Sequence, residues 1–147
     1  MRLAAAKGER ALDESKFKKA RVIFGSLLAF IEDPPREGWE KRPEVERALR
    51  KLARLAPASV EVAKELIRSG GPRERLAACY LLGELRAPAG VAALILALED
   101  EREWVRICAG RALRKIEDKE GLIAALLAKN SEQLARLIAL LEERERR

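Results

Sequence analysis

The chain contains no histidine and no threonine, and only one asparagine and one glutamine. Without histidine it lacks the side chain that most often moves protons near neutral pH and that most often binds metals. Scarce amides together with abundant Glu, Arg and Lys are typical of hyperthermophile proteins and of designed helical proteins. The irregular Asp33-Pro34-Pro35 segment and the presence of cysteine favour a natural, hyperthermophile origin over a designed one.

Cysteine is also scarce. Cys79 and Cys108 are too few for a disulfide framework. We expect two small buried hydrophobic residues on packed helices, and a disulfide between them stays open because intracellular hyperthermophile proteins sometimes carry one. With no histidine, the pair cannot supply the four ligands of a structural zinc site. The carboxylates have the spacing of helix surface ion pairs, as in segment 61–68. The sequence therefore predicts no metal site and no cofactor.

Long apolar runs are missing. The longest uncharged stretches, 22–31 and 87–98, are well below the roughly 20 residues of a membrane-spanning helix. No segment looks like a signal peptide, so we expect a cytoplasmic protein that does not enter the membrane. The 30 basic and 24 acidic residues are interleaved and give a net charge of +6. This charge permits nucleic acid or an acidic partner without requiring either.

Aromatic residues make up only 4% of the chain, so aliphatic side chains must fill the core. That composition suits helices better than a β-sandwich. Apolar residues follow helical spacing throughout, and breakers such as Gly70-Gly71-Pro72 and the Asp100-x-x-Glu103 capping box divide the chain. We predict nine helical segments near residues 2–12, 15–32, 43–56, 59–69, 73–86, 89–99, 102–117, 119–129 and 131–145.

An internal repeat determines the predicted fold. A shift of 31 residues places Arg75–Leu82 over Arg106–Leu113 and Gly90–Ala97 over Gly121–Ala128. Each block predicts a longer helix, a tight turn and a shorter helix, and a third copy fits less well at a shift of 30. One helix pair cannot bury its apolar face alone, so the pairs must stack. We predict one all-α domain, a right-handed solenoid of antiparallel helix pairs.

The repeated pattern resembles a known family. Val105-Arg106-x-x-Ala109-x-x-Ala112-Leu113-x-x-Ile116, followed by a turn and a second helix, resembles a HEAT repeat of the phycobilisome-lyase subtype. Arg75-x-x-Ala78-x-x-Leu81-Leu82-Gly83-x-Leu85 matches it too, including the glycine of the family. The sequence departs where Arg114 replaces that glycine and Glu74 replaces the first valine. The resemblance covers about residues 43–130 and implies an interaction scaffold without a catalytic residue.

The two ends are expected to cap the solenoid. Gly8, Phe17, Ala20, Phe24 and Pro34 fall near the spacing of a tetratricopeptide repeat. Residues 1–33 are therefore predicted to form an N-terminal capping hairpin, with an irregular helical cap as the alternative. The 15–32 helix is apolar nearly all round in its C-terminal half, so it is expected to be buried on several sides. Residues 131–147, with one apolar stripe and a polar end, are predicted to form a C-terminal capping helix.

Enzymatic activity has little support in the sequence. Nucleophilic catalysis needs a nucleophile beside a base, and the serines fall mostly at predicted helix ends, where capping explains them. The best enzymatic hypothesis is a HEAT-like DNA glycosylase, for which only Asp100 near Trp104 offers a suitable pairing. An N-cap role already explains Asp100. We therefore predict no catalytic residue and a non-enzymatic function.

An outer strip of basic and aromatic residues is the main candidate for partner binding. If Ala109 lies in the core, Trp104, Ile107, Arg111 and Arg114 project outward from the 102–117 helix. The equivalent row one repeat earlier is Arg73, Leu76, Tyr80 and Gly83. A second, basic face lies on the 43–56 helix. The candidate partner-binding residues are Arg47, Arg50, Lys51, Arg54, Tyr80, Trp104, Ile107, Arg111 and Arg114.

Such a strip has three interpretations. Its aromatic, aliphatic and arginine content is that of an interface core, which predicts a protein partner. It also suits phosphate backbones with stacked bases, so nucleic acid is the alternative. A solvated face, in which arginine stems cover apolar surface, is the third. Self-association stays open.

Two further features leave alternatives open. The uncharged stretches Val91–Leu98 and Leu122–Ala128 form either an apolar concave groove or, as we favour, the packed middle of the array. Trp39 lies in the connection 33–42 and either folds back on the core or presents its ring to a partner.

Overall fold

The structure, a computed structural model, describes residues 2–116, 139, 140 and 143, with side chains from residue 14 onward. This part of the chain is helical and contains no strand, which confirms the all-α prediction. The predicted segment 119–129, and all but three residues of the predicted segment 131–145, lie outside it. The helices are α1 (Arg2–Leu27), α2 (Pro43–Arg54), α3 (Ala58–Ser69), α4 (Pro72–Glu84), α5 (Val91–Ala97) and α6 (Glu103–Ile116).

The N-terminal hairpin is a correction to the sequence analysis. One continuous helix, α1, replaces the two predicted helices 2–12 and 15–32, and it is followed by a 3-10 turn at Leu28–Phe30. The predicted gap holds only Asp13 and Glu14, Gly8 costs a helix only about 1 kcal/mol, and no proline interrupts residues 2–27. The predicted break is therefore too weak to end the helix, and the tetratricopeptide-like hairpin does not form there.

The turn between α3 and α4 is set by close contacts. The Gly71 N–H donates to Glu74 Oε1 at 3.1 Å, and Pro72 occupies the first helical position. Neither Gly70 nor Gly71 has a positive φ, although this glycine pair ends α3. Gly70 is needed for space instead, because a Cβ there would lie 2.6 Å from the Leu66 carbonyl oxygen.

The helices stack as repeats around α4. This helix packs against α3 on one side and α6 on the other, while α5 packs on α3 and α6. Most of α5 is buried, which supports the packed-middle interpretation for Val91–Ala97, and Leu96 is its exposed hydrophobic residue. The second stretch, Leu122–Ala128, lies beyond the described residues. At the N-terminal side, α1 packs on α2, α3 and α4.

The C-terminal half of α1 is buried on one side only. Phe24, Leu27 and Ile31 belong to the core, whereas Val22 is 72% exposed. The expected burial on several sides therefore does not extend to the side that carries Val22. That side borders a surface groove between α1 and α2.

Asp100 ties the two repeats together. Its two oxygens accept from Arg75 Nε at 2.6 Å and Arg75 Nη2 at 3.1 Å, and this bond raises the pKa of Arg75. Arg75 also donates to the Gly70 carbonyl, and its repeat equivalent Arg106 donates to the Glu101 carbonyl, again 31 residues later. The same arginine thus closes the same turn in both copies.

Candidate functional site

A groove of about 270 Å³ lies on the outer faces of α4 and α6, under the connection that precedes α2. Three of the four residues predicted to project outward from α6 line it, and so does the connection 33–42, which lies outside the repeats. The principal lining residues are Arg36, Trp39, Glu40, Tyr80, Trp104, Ile107, Cys108, Arg111 and Lys115.

The connection 33–42 folds back on the molecule. The Trp39 ring packs edge-on against Tyr80, with ring centroids 5.2 Å apart and planes at 66°. Lys115 Nζ lies over the Tyr80 ring, 5.2 Å from its centroid, and Lys115 also forms an ion pair with Glu84. Burial, reinforced by Glu84 and Glu40, raises the pKa of Tyr80 to about 12. The structure thus selects the folded-back alternative for Trp39.

The chain segment that follows α1 covers the outer face of α4. Arg73 Nη1 donates to the Leu28 carbonyl at 2.8 Å and to the Ile31 carbonyl at 3.2 Å. Leu76 is 2% exposed, so its predicted outward projection into solvent is wrong. In the outer row of α4, Leu76 is therefore buried, and Arg73 and Tyr80 are half-buried.

Gly83 is also misplaced by the sequence analysis. It is buried where α4 crosses α6, and a Cβ there would lie 2.8 Å from both Cα and Cβ of Ala112. The glycine is therefore required by close helix approach. It does not form part of an exposed strip.

The equivalent row on α6 stays open. Ile107 is 46% exposed, Arg111 is exposed and Trp104 is half-buried, and all three line the groove. No ion pair engages Arg111 within the described ranges. Arg114 is half-buried and donates to Glu143 at 3.1 Å, so it is held away from the groove by its own chain.

The groove offers no activated nucleophile. Cys108 lines it, and the thiol donates weakly to the Leu76 carbonyl, with sulfur and oxygen 3.8 Å apart. Burial raises the pKa of Cys108 to about 12 and that of Cys79 well above its ordinary value. Both cysteines are free thiols, and thiolate is scarce at neutral pH.

The basic residues of α2 do not join this groove. Arg47, Arg50, Lys51 and Arg54 are all exposed, as predicted from their spacing. However, Arg50 borders a neighbouring groove with Glu40 and Glu84, whereas Lys51 and Arg54 border one between α1 and α2. Arg50, Lys51 and Arg54 therefore line grooves other than the one that Arg111 lines.

The glycosylase pairing is not assembled. The Asp100 side chain is 7% exposed, both its oxygens accept from Arg75, and Oδ1 also accepts from the Arg102 N–H at 2.9 Å. This last hydrogen bond takes the place of the one from the Glu103 N–H that the Asp100-x-x-Glu103 capping box predicts. Trp104 lines the groove and Asp100 does not.

No group of three potential metal ligands occurs among the residues that the structure describes. None of their helices combines the length and the apolar character needed to cross a bilayer.

The contribution of Arg36, Trp39 and Glu40 to the groove was missed by sequence reasoning. The available signal was a tryptophan in a proline-containing connection outside the repeat pattern. An aromatic residue that no helix period explains must be either packed on something or offered to a partner.

Comparison with known proteins identifies the repeats. A family model described as HEAT repeats matches residues 59–144. No curated protein and no solved structure matches the chain.

Proposed function

This chain belongs to the HEAT-repeat family, whose members are generally protein-interaction scaffolds, and we propose that it is a non-enzymatic scaffold. Its partner is a protein segment that binds in the groove on α4 and α6. The open row on α6, formed by Trp104, Ile107 and Arg111, is the observation that carries this proposal.

The protein itself supplies an example of such binding. On α4, the equivalent row is covered by the chain's own segment 28–40, which gives backbone carbonyls to Arg73 and an indole ring to Tyr80. On α6, the corresponding positions 31 residues later are Trp104 and Arg111. A partner segment with an aliphatic or aromatic anchor would find apolar surface at Ile107 and hydrogen-bond donors at Arg111.

The residue types fit a protein interface. Tryptophan, tyrosine and arginine dominate the residues that carry binding energy in protein complexes. The groove mixes acidic and basic side chains, since Glu40 lines it together with Arg111 and Lys115. A purely cationic surface, which nucleic acid binding favours, is therefore absent from this groove.

The test is affinity capture from a lysate of the source organism with wild-type protein and with Ile107→Glu. Ile107 is exposed and glutamate is a good helix former, so this variant should fold normally. We expect the specifically captured protein to be lost, and a photo-crosslinking residue at position 107 to label that protein. Trp104→Ala should reduce capture as well, provided its thermal unfolding is unchanged.

Leu96→Ala is the matched control, because Leu96 is an exposed hydrophobic residue of α5 outside the groove. It should capture the same protein as wild type. Equal capture by Ile107→Glu and wild type, with no crosslink at position 107, would contradict the proposed site.

Nucleic acid is the alternative partner, favoured by the exposure of all four α2 cations. Reversing Arg47, Arg50, Lys51 and Arg54 to glutamate would then abolish retention on duplex DNA. About four phosphate contacts would give a slope of about −3 to −4 in log affinity against log salt. If nuclease treatment removes everything captured, nucleic acid is the partner and the protein-segment proposal is wrong.

Finer features of the architecture belong to the same proposal. We infer a right-handed solenoid and the phycobilisome-lyase subtype of HEAT repeat. The subtype is supported by the Gly83 contact with Ala112 and by the turn-closing arginines Arg75 and Arg106, whereas the handedness is inferred from the stacking of repeats alone.

A further inference from the structure

Another surface groove, of about 500 Å³, lies between α1 and α2, and no residue of the connection 33–42 lines it. Its apolar part consists of Val22, Ile23 and Leu55. Val22 is 72% exposed, the largest exposed fraction among the large hydrophobic residues of the described chain. Covering exposed aliphatic surface in such a shallow groove is favourable, because it removes apolar area from water.

Four cations surround this apolar patch. Lys18 and Lys19 come from α1, and Lys51 and Arg54 come from α2. The lining contains no acidic residue, and none of the four forms an ion pair with the described part of the protein. Nearby Arg21 differs, since it pairs with Glu65 of α3 at 3.1 Å and does not line the groove.

We infer that this groove binds a short amphipathic helix of a protein partner, with aliphatic residues on one face flanked by glutamate or aspartate. The apolar face would cover Val22, Ile23 and Leu55. The flanking carboxylates would pair with the lysines of α1 on one side and with Lys51 and Arg54 on the other. This site is separate from the groove on α4 and α6 and does not depend on the function proposed for it.

The same features argue against the other anionic partners. Phosphate backbones need cations but no aliphatic patch, and this groove offers no aromatic ring on which a base could stack. A bilayer surface is met best by the apolar face of a whole amphipathic helix, whereas the aliphatic patch here consists of three residues. An acidic amphipathic helix uses both the charge and the apolar patch.

The direct test uses a fluorescent synthetic helix with leucine on one face and glutamate on both flanks, measured by anisotropy at physiological salt. We expect saturable binding to the wild-type protein. Lys51→Glu with Arg54→Glu should weaken it at least about tenfold, because the pairs become repulsive. Val22→Asp should weaken it about tenfold by removing apolar contact with the peptide. Because Val22 is largely exposed in the free protein, this change should leave the core intact.

A double variant of equal charge change is the control. Lys16→Glu with Arg68→Glu alters two exposed cations outside the groove, and it should leave peptide affinity within about twofold of wild type. Ile107→Glu should also leave it unchanged, which separates this site from the groove on α4 and α6.

Several results would overturn the inference. These are no binding of the helix, equal binding of a scrambled peptide of the same composition, or an equal loss in the control double variant. Tighter binding of duplex DNA or of anionic vesicles that depends on Lys51 and Arg54 would also overturn it and would identify the other class of partner.

Discussion

Helices α4 and α6 carry one sequence pattern 31 residues apart, yet their outer faces differ. Leu76 on α4 is 2% exposed, whereas its equivalent Ile107 on α6 is 46% exposed. Arg75 is held in an ion pair with Asp100, whereas among the described residues Arg106 bonds only to backbone carbonyls. The pattern therefore fixes which side of each helix meets the next repeat, but it does not fix what meets the other side.

The cause of the difference lies outside the repeats. The segment 28–40 docks on α4 through carbonyls to Arg73 and through the Trp39 ring on Tyr80. Within the described residues, α6 has no such cover at Ile107 and Arg111. One repeat thus shows the occupied form of a surface that the next repeat offers unoccupied.

The largest expected effect tests the burial difference itself. Leu76→Ala should lower the free energy of unfolding by about 3 kcal/mol, because it leaves a cavity at a fully buried position. Ile107→Ala should cost less than about 1 kcal/mol, since the side chain is already half in water. Urea denaturation followed by circular dichroism measures both. Equal losses would show that the two faces are not distinguished by burial.

The next effect concerns the ion pair that links the repeats. Asp100→Ala should destabilise the protein by about 2 to 3 kcal/mol, less than for a fully buried pair because the Arg75 side chain keeps 18% of its exposure. Arg106→Ala should cost about 1 kcal/mol, since it removes only bonds to exposed carbonyls. If the second variant costs as much as the first, the asymmetry between the equivalent arginines is wrong.

A pair of glycine substitutions has opposite expected signs. Gly83→Ala should cost about 2 kcal/mol, because its Cβ would meet Ala112 backbone at 2.8 Å and force α4 and α6 apart. Gly110→Ala on α6 should stabilise by up to about 1 kcal/mol, since only Leu98 Cδ2 lies near, at 3.9 Å. Melting temperatures of the two variants should move in opposite directions. Destabilisation of both by the same amount would contradict the close crossing at Gly83.

The smallest effect tests how α4 ends. Arg86 has a φ of 49°, and the Arg86 and Ala87 N–H groups donate to the Gly83 and Leu82 carbonyls at 3.1 Å, the pattern of a Schellman motif. Arg86→Gly should stabilise the protein by about 1 kcal/mol by removing the Cβ penalty. Arg86→Ala, which keeps the Cβ, should not. A gain in both variants would mean that the arginine side chain, and not its backbone, is the source of strain.

Sequence reasoning predicted the helices that carry strong boundary signals. Pro43 and Pro72 begin α2 and α4, and the 31-residue repeat predicted α4, α5 and α6 within a few residues. It divided α1 wrongly at residues 13–14, because the polar run Asp13-Glu14-Ser15 resembles a helix boundary when neighbours are ignored. Propensity differences of about 1 kcal/mol are easily overridden by tertiary packing.

The candidate site was predicted in part. Trp104, Ile107 and Arg111 do line one groove, as the assumption of Ala109 in the core required. Leu76 and Gly83 were assigned to the same exposed strip by equivalence, and both are buried. Equivalence in sequence transfers a helix face reliably, but exposure depends on neighbours that the repeat does not contain.

The sequence by itself determined the helical class, the repeat and the inward face of each helix, since apolar periodicity acts within a single element. Only the tertiary structure decided that the connection 33–42 covers α4 and leaves α6 open. It also decided that Lys18 and Lys19 meet Lys51 and Arg54 around an exposed Val22. These contacts join residues far apart in the chain. They depend on how whole helices pack, and no local pattern of residues encodes that geometry.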